Sequence, residues 1–330
     1  MQKHTVSIAF VRAAVEALPP DATARVLDRA GIPSDLLNVP TARVSARAFA
    51  ALWMAVARDL DDEFFGLDSR RMKVGSFALL CQAVLHCGTI GHALKRCLRT
   101  FSIFLDDMEG ALRIEHGEAA VRLANRIAEP GRRRFADETF LVMVHGVICW
   151  LAGQRIPLLA AEFAWPRPDH AEEYRVMFSQ RLAFEAPQTR IRFDARVLAA
   201  PVVQDENTLK RFLRSAPQSV FVKYRDEDSW TARLRRRLRG SIDTGWPTLE
   251  ETAAELRIPS STLRRRLEAE GTTYQAIKDQ LRRDIAIHHL SEGHMSISDI
   301  AARLGFQDAS AFYRAFRRWT GSQPGEYRSR

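Results

Sequence analysis

Arginine recurs at matched places in two segments near the C-terminal end of this 330-residue chain. In Ser261-Thr-Leu-Arg-Arg-Arg-Leu267 and in Ser310-Ala-Phe-Tyr-Arg-Ala-Phe-Arg-Arg318, leucine or phenylalanine falls at helical spacing and polar side chains fill the rest of the turn. A helix of that kind suits the major groove of DNA. A guanidinium there can fork onto the two acceptor atoms of guanine, a contact worth ~1–3 kcal/mol of discrimination. The candidate base readers are Ser261, Arg264 and Arg265 in the first segment and Ser310, Tyr313 and Arg314 in the second. Arg266, Lys278, Arg317 and Arg318 lie further round or lower and suit phosphates, which position a protein without reading sequence. One such arginine alone would read as a solvated helix face. Arginines at matched places in two copies favour DNA contact.

The elements that must carry these side chains are themselves repeated. Thr248–Gly271 is echoed by Ile297–Gly321, and Ala253-Ala-Glu-Leu256 recurs as Ala301-Ala-Arg-Leu304, a shift of 48 residues. The closing glycines are 50 apart, so the second copy holds two more residues around its turn and helix. Each copy reads as a short helix, a tight turn and a second helix, the pattern of a helix-turn-helix. Leu249, Ala253, Leu256, Ile258, Leu263 and Leu267 form the expected core of the first. Ile297, Ile300, Ala301, Leu304, Phe306, Phe312 and Phe316 form that of the second. Asp308 stands where a cap for the second reading helix belongs; the first copy has Pro259 there, with Ser260 able to cap one residue later. Between the copies, Thr273–Ser291 reads as one continuous helix. Its 19 residues span roughly 28 Å at ~1.5 Å per residue. Successive major-groove faces on one side of DNA lie ~34 Å apart, so a strut of this length suits two reading helices in adjacent groove segments.

At this point the chain resembles a known family. Ile300-Ala-Ala-Arg-Leu-Gly-Phe-Gln-Asp-Ala-Ser-Ala-Phe-Tyr-Arg-Ala-Phe-Arg-Arg-Trp-Thr-Gly-Ser-Gln-Pro-Gly-Glu-Tyr-Arg328 is similar to the signature of AraC/XylS-type transcriptional regulators. Gly305-Phe306, Ser310, Phe312, Arg314-Ala315-Phe316, Gly321, Pro324 and Tyr327-Arg328 stand where that signature has them, and 261–267 resembles the family's first repeat. Pro259 departs from the family's usual capping serine, and Ile285-Ala286-Ile287 is a mild variation in the connecting helix. Gly75-Ser76-Phe77 and Pro201-Val202 resemble the N-terminal "arabinose-binding" type domain of one subgroup. The resemblance implies a sequence-specific regulator that binds promoter or operator DNA and works with RNA polymerase. It also implies an N-terminal domain that binds a small-molecule effector and often dimerises, without identifying the effector.

The remainder of the chain fits that frame. Residues 1–222 read as a helix-rich α+β domain with a small sheet, and 223–330 as an all-α DNA-binding domain with its two motifs at 248–271 and 297–321. Amphipathic helices are expected over Ile8–Leu18, from Asp21 to Gly31, Ser45–Leu60, Ser76–Cys87 and Thr89–Leu105, and a helix of 19 residues over Arg133–Leu151. A β-hairpin is expected around Glu115–Glu118, with strands at Ala161–Trp165 and Arg190–Phe193 flanking a short helix near Asp169–Phe178. Asp205–Leu213 and Trp230–Arg239 read as helices, and Lys223–Ser229 as a linker. The arginine run within Trp230–Arg239 suits phosphate contact and a solvated face equally. Net charge is +9, and more than half of that excess lies in residues 228–330, in keeping with an anionic partner.

Several functions are disfavoured. Cys81, Cys87, Cys97 and Cys149 match no metal or disulfide spacing and read as buried thiols in a reducing cytoplasm. The N-terminus lacks a signal-peptide core, and the longest apolar stretch, Phe140–Ala152, is too short to cross a bilayer. No nucleophile elbow, zinc-protease pair or phosphate loop is present, so an enzyme, a resident metal and a cofactor are not expected. His86-Cys87, His288-His289 and His294 have spacings that do not suit a metal site. Two readings of control remain at the level of sequence. In one, a metabolite bound in the N-terminal domain governs DNA binding, the protein acting as a homodimer. In the other, control rests with a protein partner or with the protein's own level. Phe101, Phe104, Trp150 and Phe163 fit a pocket wall and a packed core equally well.

Overall fold

A computed structural model describes residues 5–217, 220, 230–242, 245–269 and 272–328. In chain order it contains β1 (Thr5–Ser7), α1 (Ile8–Val15), α2 (Pro20–Ala30), β2 (Arg43–Ser45), α3 (Ala46–Leu60), α4 (Ser76–Leu85), α5 (Ile90–Phe104), β3 (Met108–Glu115), β4 (Glu118–Asn125), α6 (Pro130–Leu151), β5 (Leu158–Glu162), α7 (Glu172–Met177), β6 (Leu182–Ala183), β7 (Arg190–Asp194) and α8 (Glu206–Ser215). Then come α9 (Trp230–Gly240), α10 (Leu249–Glu255), α11 (Ser260–Ala269), α12 (Tyr274–Glu292), α13 (Ile297–Arg303) and α14 (Ala309–Thr320), followed by a 3-10 turn at Pro324–Tyr327. The class is helix-rich α+β with a small sheet, then an all-α region holding two helix-turn-helix motifs. The linker expected at Lys223–Ser229 lies outside the described residues, as do the last two residues of the first repeat.

The chain divides into two compact units. One comprises Ala9–Ala30 and Phe49–Tyr224; the other comprises Met1–Ile8, Gly31–Ala48 and Arg225–Arg330. The division expected from the sequence keeps residues 5–8 and 31–48 with the first domain, whereas they cluster with the helix-turn-helix helices. A two-stranded antiparallel ribbon explains the difference: Thr5, Val6 and Ser7 pair with Ser45, Val44 and Arg43. Strands of three residues, with 35 residues between them, leave no periodic trace in the sequence.

The larger unit is built on a five-stranded sheet in the order β3-β4-β7-β5-β6, antiparallel except for the β5–β6 pair. The β3–β4 hairpin turns at His116 and Gly117, which both have positive φ, 51° and 80°. That conformation matches the right-handed twist of the flanking strands. Ala119, Val121, Ile191 and Phe193 are buried on the inner face, and α5 and α6 pack against the sheet. The outer face carries ion pairs instead: Arg190 with Glu162 at 2.7 Å, Arg192 with Glu118 at 2.5 Å and Arg122 with Glu115 at 3.2 Å. β5 begins three residues before the expected strand, because its pairing with Phe193 starts at Leu158. α7 is shorter than expected.

α6 is the central helix. It starts three residues earlier than the expected Arg133, with Glu129 accepting the Gly131 N–H at 2.9 Å and Pro130 in its first turn. From Phe135 to Leu151 every residue is buried, which accounts for a helix apolar nearly all round. At Gly146 the backbone of Val220 comes so close that an added Cβ would sit 2.6 Å from its carbonyl oxygen. All four cysteines are buried free thiols, and burial pushes Cys97 up to about 12.

Two carboxylates are buried on this helix. Tyr174 donates a short hydrogen bond to Glu138, and Asp137 accepts from the Asn125 side-chain amide at 2.7 Å. Burial, the largest influence, raises Asp137 from 3.8 to about 6, against hydrogen bonds from Asn125 and Thr189 that lower it. A carboxyl raised in the folded state favours folding below its unfolded value and loses that contribution as pH rises through 6. We expect Asp137→Asn to remove this dependence. In denaturant titrations the wild type should lose about 2–3 kcal/mol relative to the variant between pH 3.5 and 7. A constant difference across that range would show that Asp137 titrates as in the unfolded chain.

Candidate nucleic-acid interface

The first helix-turn-helix is assembled by α9–α12. Leu234 and Leu238 of α9, Ala253 of α10, Leu263 and Leu267 of α11, and Ile277 and Leu281 of α12 form one buried cluster. Trp230, Trp246, Leu249, Leu256, Ile258 and Tyr274 pack at its margin. Of the six residues expected to form this core, Ala253, Leu263 and Leu267 are in the buried cluster, while Leu249, Leu256 and Ile258 are partly buried and pack against it. Thr248 and Glu251 cap α10 reciprocally, the threonine hydroxyl accepting from Glu251 N–H at 3.2 Å and the carboxylate from Thr248 N–H at 2.7 Å. Pro259 does not prevent α11 from starting, since its carbonyl accepts from the Thr262 and Leu263 N–H groups.

The second motif is assembled by α13 and α14 against the C-terminal half of α12. Ile300, Ala301, Leu304, Phe312 and Phe316 are buried, while Ile297 and Phe306 are half-buried. Asp308 caps α14 as expected, accepting the Ala311 N–H at 2.7 Å. The signature positions at the end of the chain acquire physical reasons. Gly321 closes α14 in the left-handed conformation with φ 74°. An added Cβ there would meet the Thr41 hydroxyl at 1.9 Å. Tyr327 packs edge-on against Phe316, and its hydroxyl accepts the Arg43 N–H of the ribbon at 2.9 Å.

The reading side chains occupy solvent-facing stripes. Ser261, Arg264 and Arg265 are exposed on α11, and Ser310, Tyr313 and Arg314 on α14. Each trio has the spacing i, i+3, i+4, so each lies along one helix face. Arg317 and Arg318 are exposed in the last turn of α14. Two residues assigned to phosphates are engaged within the protein. The Arg266 guanidinium lies over the Trp230 ring at 4.1 Å. The Lys278 ammonium points at the carbonyls of Trp246 and Pro247 at 3.5 and 3.4 Å, and burial lowers its pKa. The arginine run of α9 is likewise split: Arg235 is buried and donates to Gln280, and Arg237 pairs with Glu255.

Tertiary contacts also bring forward residues that periodicity does not single out. Asp284 of α12 is buried with Arg283 at 3.3 Å, and Arg235 and Arg43 add to the positive field around it. Burial outweighs these arginines and raises the carboxyl. At the end of α12, His288 and His289 converge on Glu292, with N···O separations of 3.4 and 3.8 Å. The glutamate, one turn away, supplies the convergence that the histidine spacing alone did not show. Burial and the charges of His288 and Arg303 lower His289.

The larger unit contains a half-open cavity of about 140 Å³. Its wall is largely apolar, with Trp53, Phe77, Met143, Leu213 and Val220 among the lining residues and Glu63 as the carboxylate. Glu63 accepts the Gly75 N–H at 2.9 Å and the Phe77 N–H at 2.7 Å at the start of α4, and burial raises its pKa. Phe101, Phe104, Trp150 and Phe163 do not line it. Phe101 and Phe163 are fully buried in the core, and Trp150 stacks on Phe212 at 4.5 Å.

Among the described residues no helix is long and apolar enough to cross a membrane. Residues 22–202 match the family model described as the arabinose-binding domain of AraC transcription regulators, and residues 252–330 match a helix-turn-helix domain. The chain is 27% identical over 326 residues to the ornithine utilization regulator of Pseudomonas aeruginosa, covering 98% of this chain and 96% of that one. It is 29% identical over 322 residues to an uncharacterised helix-turn-helix-type transcriptional regulator of Mycobacterium tuberculosis, covering 93% and 91%. Among solved structures, it matches the transcriptional regulator CdpR from Pseudomonas aeruginosa at 22% identity and a TM-score of 0.33, covering 94% and 98%. These relatives are DNA-binding regulators rather than enzymes. With one model spanning more than half of its length and a second covering both reading helices, the chain belongs to the AraC family of transcription regulators.

Proposed function

We propose that this regulator reads a bipartite operator with α11 and α14 and that a small molecule bound in the larger unit controls it. Two exposed Ser/Arg-bearing stripes on one rigid support carry the DNA reading. Ser261, Arg264 and Arg265 read one half-site, and Ser310, Tyr313 and Arg314 read the next. Arg317 and Arg318 hold phosphates, joined by Arg266 and Lys278 once DNA draws them from their present partners. The protein works in the cytoplasm as a homodimer and presents bound DNA to RNA polymerase.

The cavity beside Glu63 supports effector control. A dry cavity of about 150 Å³ takes a molecule of benzene size, so this one suits a compact ligand with an apolar body. Glu63 favours a hydrogen-bond donor or an amine at its polar end. The Pseudomonas relative is named for ornithine utilisation, so ornithine, other amino acids and small amines head the set of compounds to try. Such a ligand shifts the population of DNA-competent arrangements by its differential affinity for them.

Full-length protein is the right material for testing, because residues 31–48 belong to the DNA-binding unit. Selection from a random duplex pool should return two half-sites on one face of the helix. Arg264→Ala and Arg314→Ala should each cost about 1–3 kcal/mol and relax specificity at a base pair in different half-sites. Unchanged selectivity in both variants would overturn the assignment. Affinity should fall steeply with salt, and a flat response would rule out the phosphate contacts. In a thermal-shift screen an effector should stabilise the wild type by mass action but not Ala78→Phe, which puts a ring into the cavity that Ala78 lines. Equal stabilisation of both proteins would put the site elsewhere. A regulator whose DNA binding no stabilising compound alters would instead answer to a partner or to its own level.

A further inference from the structure

Arg282 has no carboxylate within ion-pair distance among the described residues, although it is half-buried in the middle of α12. Its guanidinium lies over two rings, 5.1 Å from that of Trp246 and 5.2 Å from that of Phe306. Burial lowers its pKa, and its Nε has no hydrogen-bond partner. Two aromatic faces therefore hold the charge in place, an attraction that strengthens as water is excluded.

The two rings belong to different reading heads. Trp246 is two residues ahead of Thr248, the cap of α10, so it fixes the entry to the first motif. Its backbone carbonyl, with that of Pro247, accepts from Lys278, and Tyr274 donates to Pro247 at 2.5 Å. Phe306 is in the turn of the second motif and packs against Phe312 and Trp319 of that motif. Gly305 beside it has φ 74°, and a Cβ there would sit 2.9 Å from Trp246 Cδ1. The entry of one motif and the turn of the other thus touch directly, with Arg282 laid across the joint.

We propose that the Trp246–Arg282–Phe306 stack is the clasp that sets the spacing between the two reading helices, making Arg282 a positioning residue for bipartite recognition. The two motifs share α12, their cores packing toward its two ends. The stack adds a second point of attachment between them. Its loss leaves each helix able to read its own half-site while the pair no longer presents one fixed separation. This inference rests on the proposal that both motifs engage DNA.

Gel-shift titrations of the full chain on the selected duplex, on duplexes with either half-site scrambled, and on duplexes with one or two base pairs inserted or deleted between half-sites test it. Arg282→Met should bind each single half-site within about twofold of the wild type and bind the intact duplex roughly tenfold or more weakly. It should also lose the wild type's preference for one spacing. Arg282→Lys, which keeps a cation near both rings, should recover part of both. Trp246→Leu should reproduce the methionine phenotype without adding to it when combined, which distinguishes the clasp from general unfolding. Equal losses on half-sites and intact duplex, or retained spacing preference in Arg282→Met, would overturn the proposal. A wild type that gains nothing from the second half-site would instead refute the two-helix reading.

Discussion

One helix lends a side to each of two hydrophobic cores, and the DNA-binding unit depends on that sharing. Ile277 and Leu281 of α12 complete the core beneath α10 and α11, while Ala286, Ile287 and Leu290 are buried toward its other end, where α13 and α14 pack. The shared helix also carries Asp284 between the two cores. A buried carboxylate is costly without compensation, and here arginines from α9, α12 and β2 surround it. The strut is therefore fixed by packing at both ends and by charge at its middle.

That middle also ties the unit to the beginning of the chain. Arg43 sits in β2, its N–H donated to Tyr327 and its charge near Asp284. The Thr41–Gly321 approach lies in the same region. The ribbon is consequently part of the body that carries the reading helices. A fragment starting after the expected linker would lack it, leaving Tyr327 and Asp284 without these partners.

The larger unit works by a different rule. Its sheet is apolar on one face and ionic on the other, and α6 is buried on all sides from Phe135 onward, so most of its apolar residues serve as core. The cavity beside Glu63 is an exception, lined from elements widely separated in sequence. Glu63 is held by the backbone N–H groups that open α4, giving an apolar space one oriented acceptor. Such an arrangement selects for polarity at one end of a ligand and bulk at the other.

Periodicity and capping chemistry by themselves determined the two helix-turn-helix motifs, the strut, the hairpin at His116-Gly117 and the existence of α6. Each is specified by neighbours within a turn or two, as the Asp308 cap and the Leu263/Leu267 stripe illustrate. The same local logic identified which side chains of α11 and α14 face outward. It had no access to contacts between distant segments. Arg266 and Arg265 look alike in sequence, yet only one meets Trp230; Lys278 looks like a surface lysine until the carbonyls of Trp246 and Pro247 stand beside it. The ribbon, the ring of arginines around Asp284, the cavity beside Glu63 and the stacking of Arg282 were decided by tertiary structure. In each, the partner lies tens to hundreds of residues away, and only folding brings together groups whose charge, ring face or burial has no signature at one position.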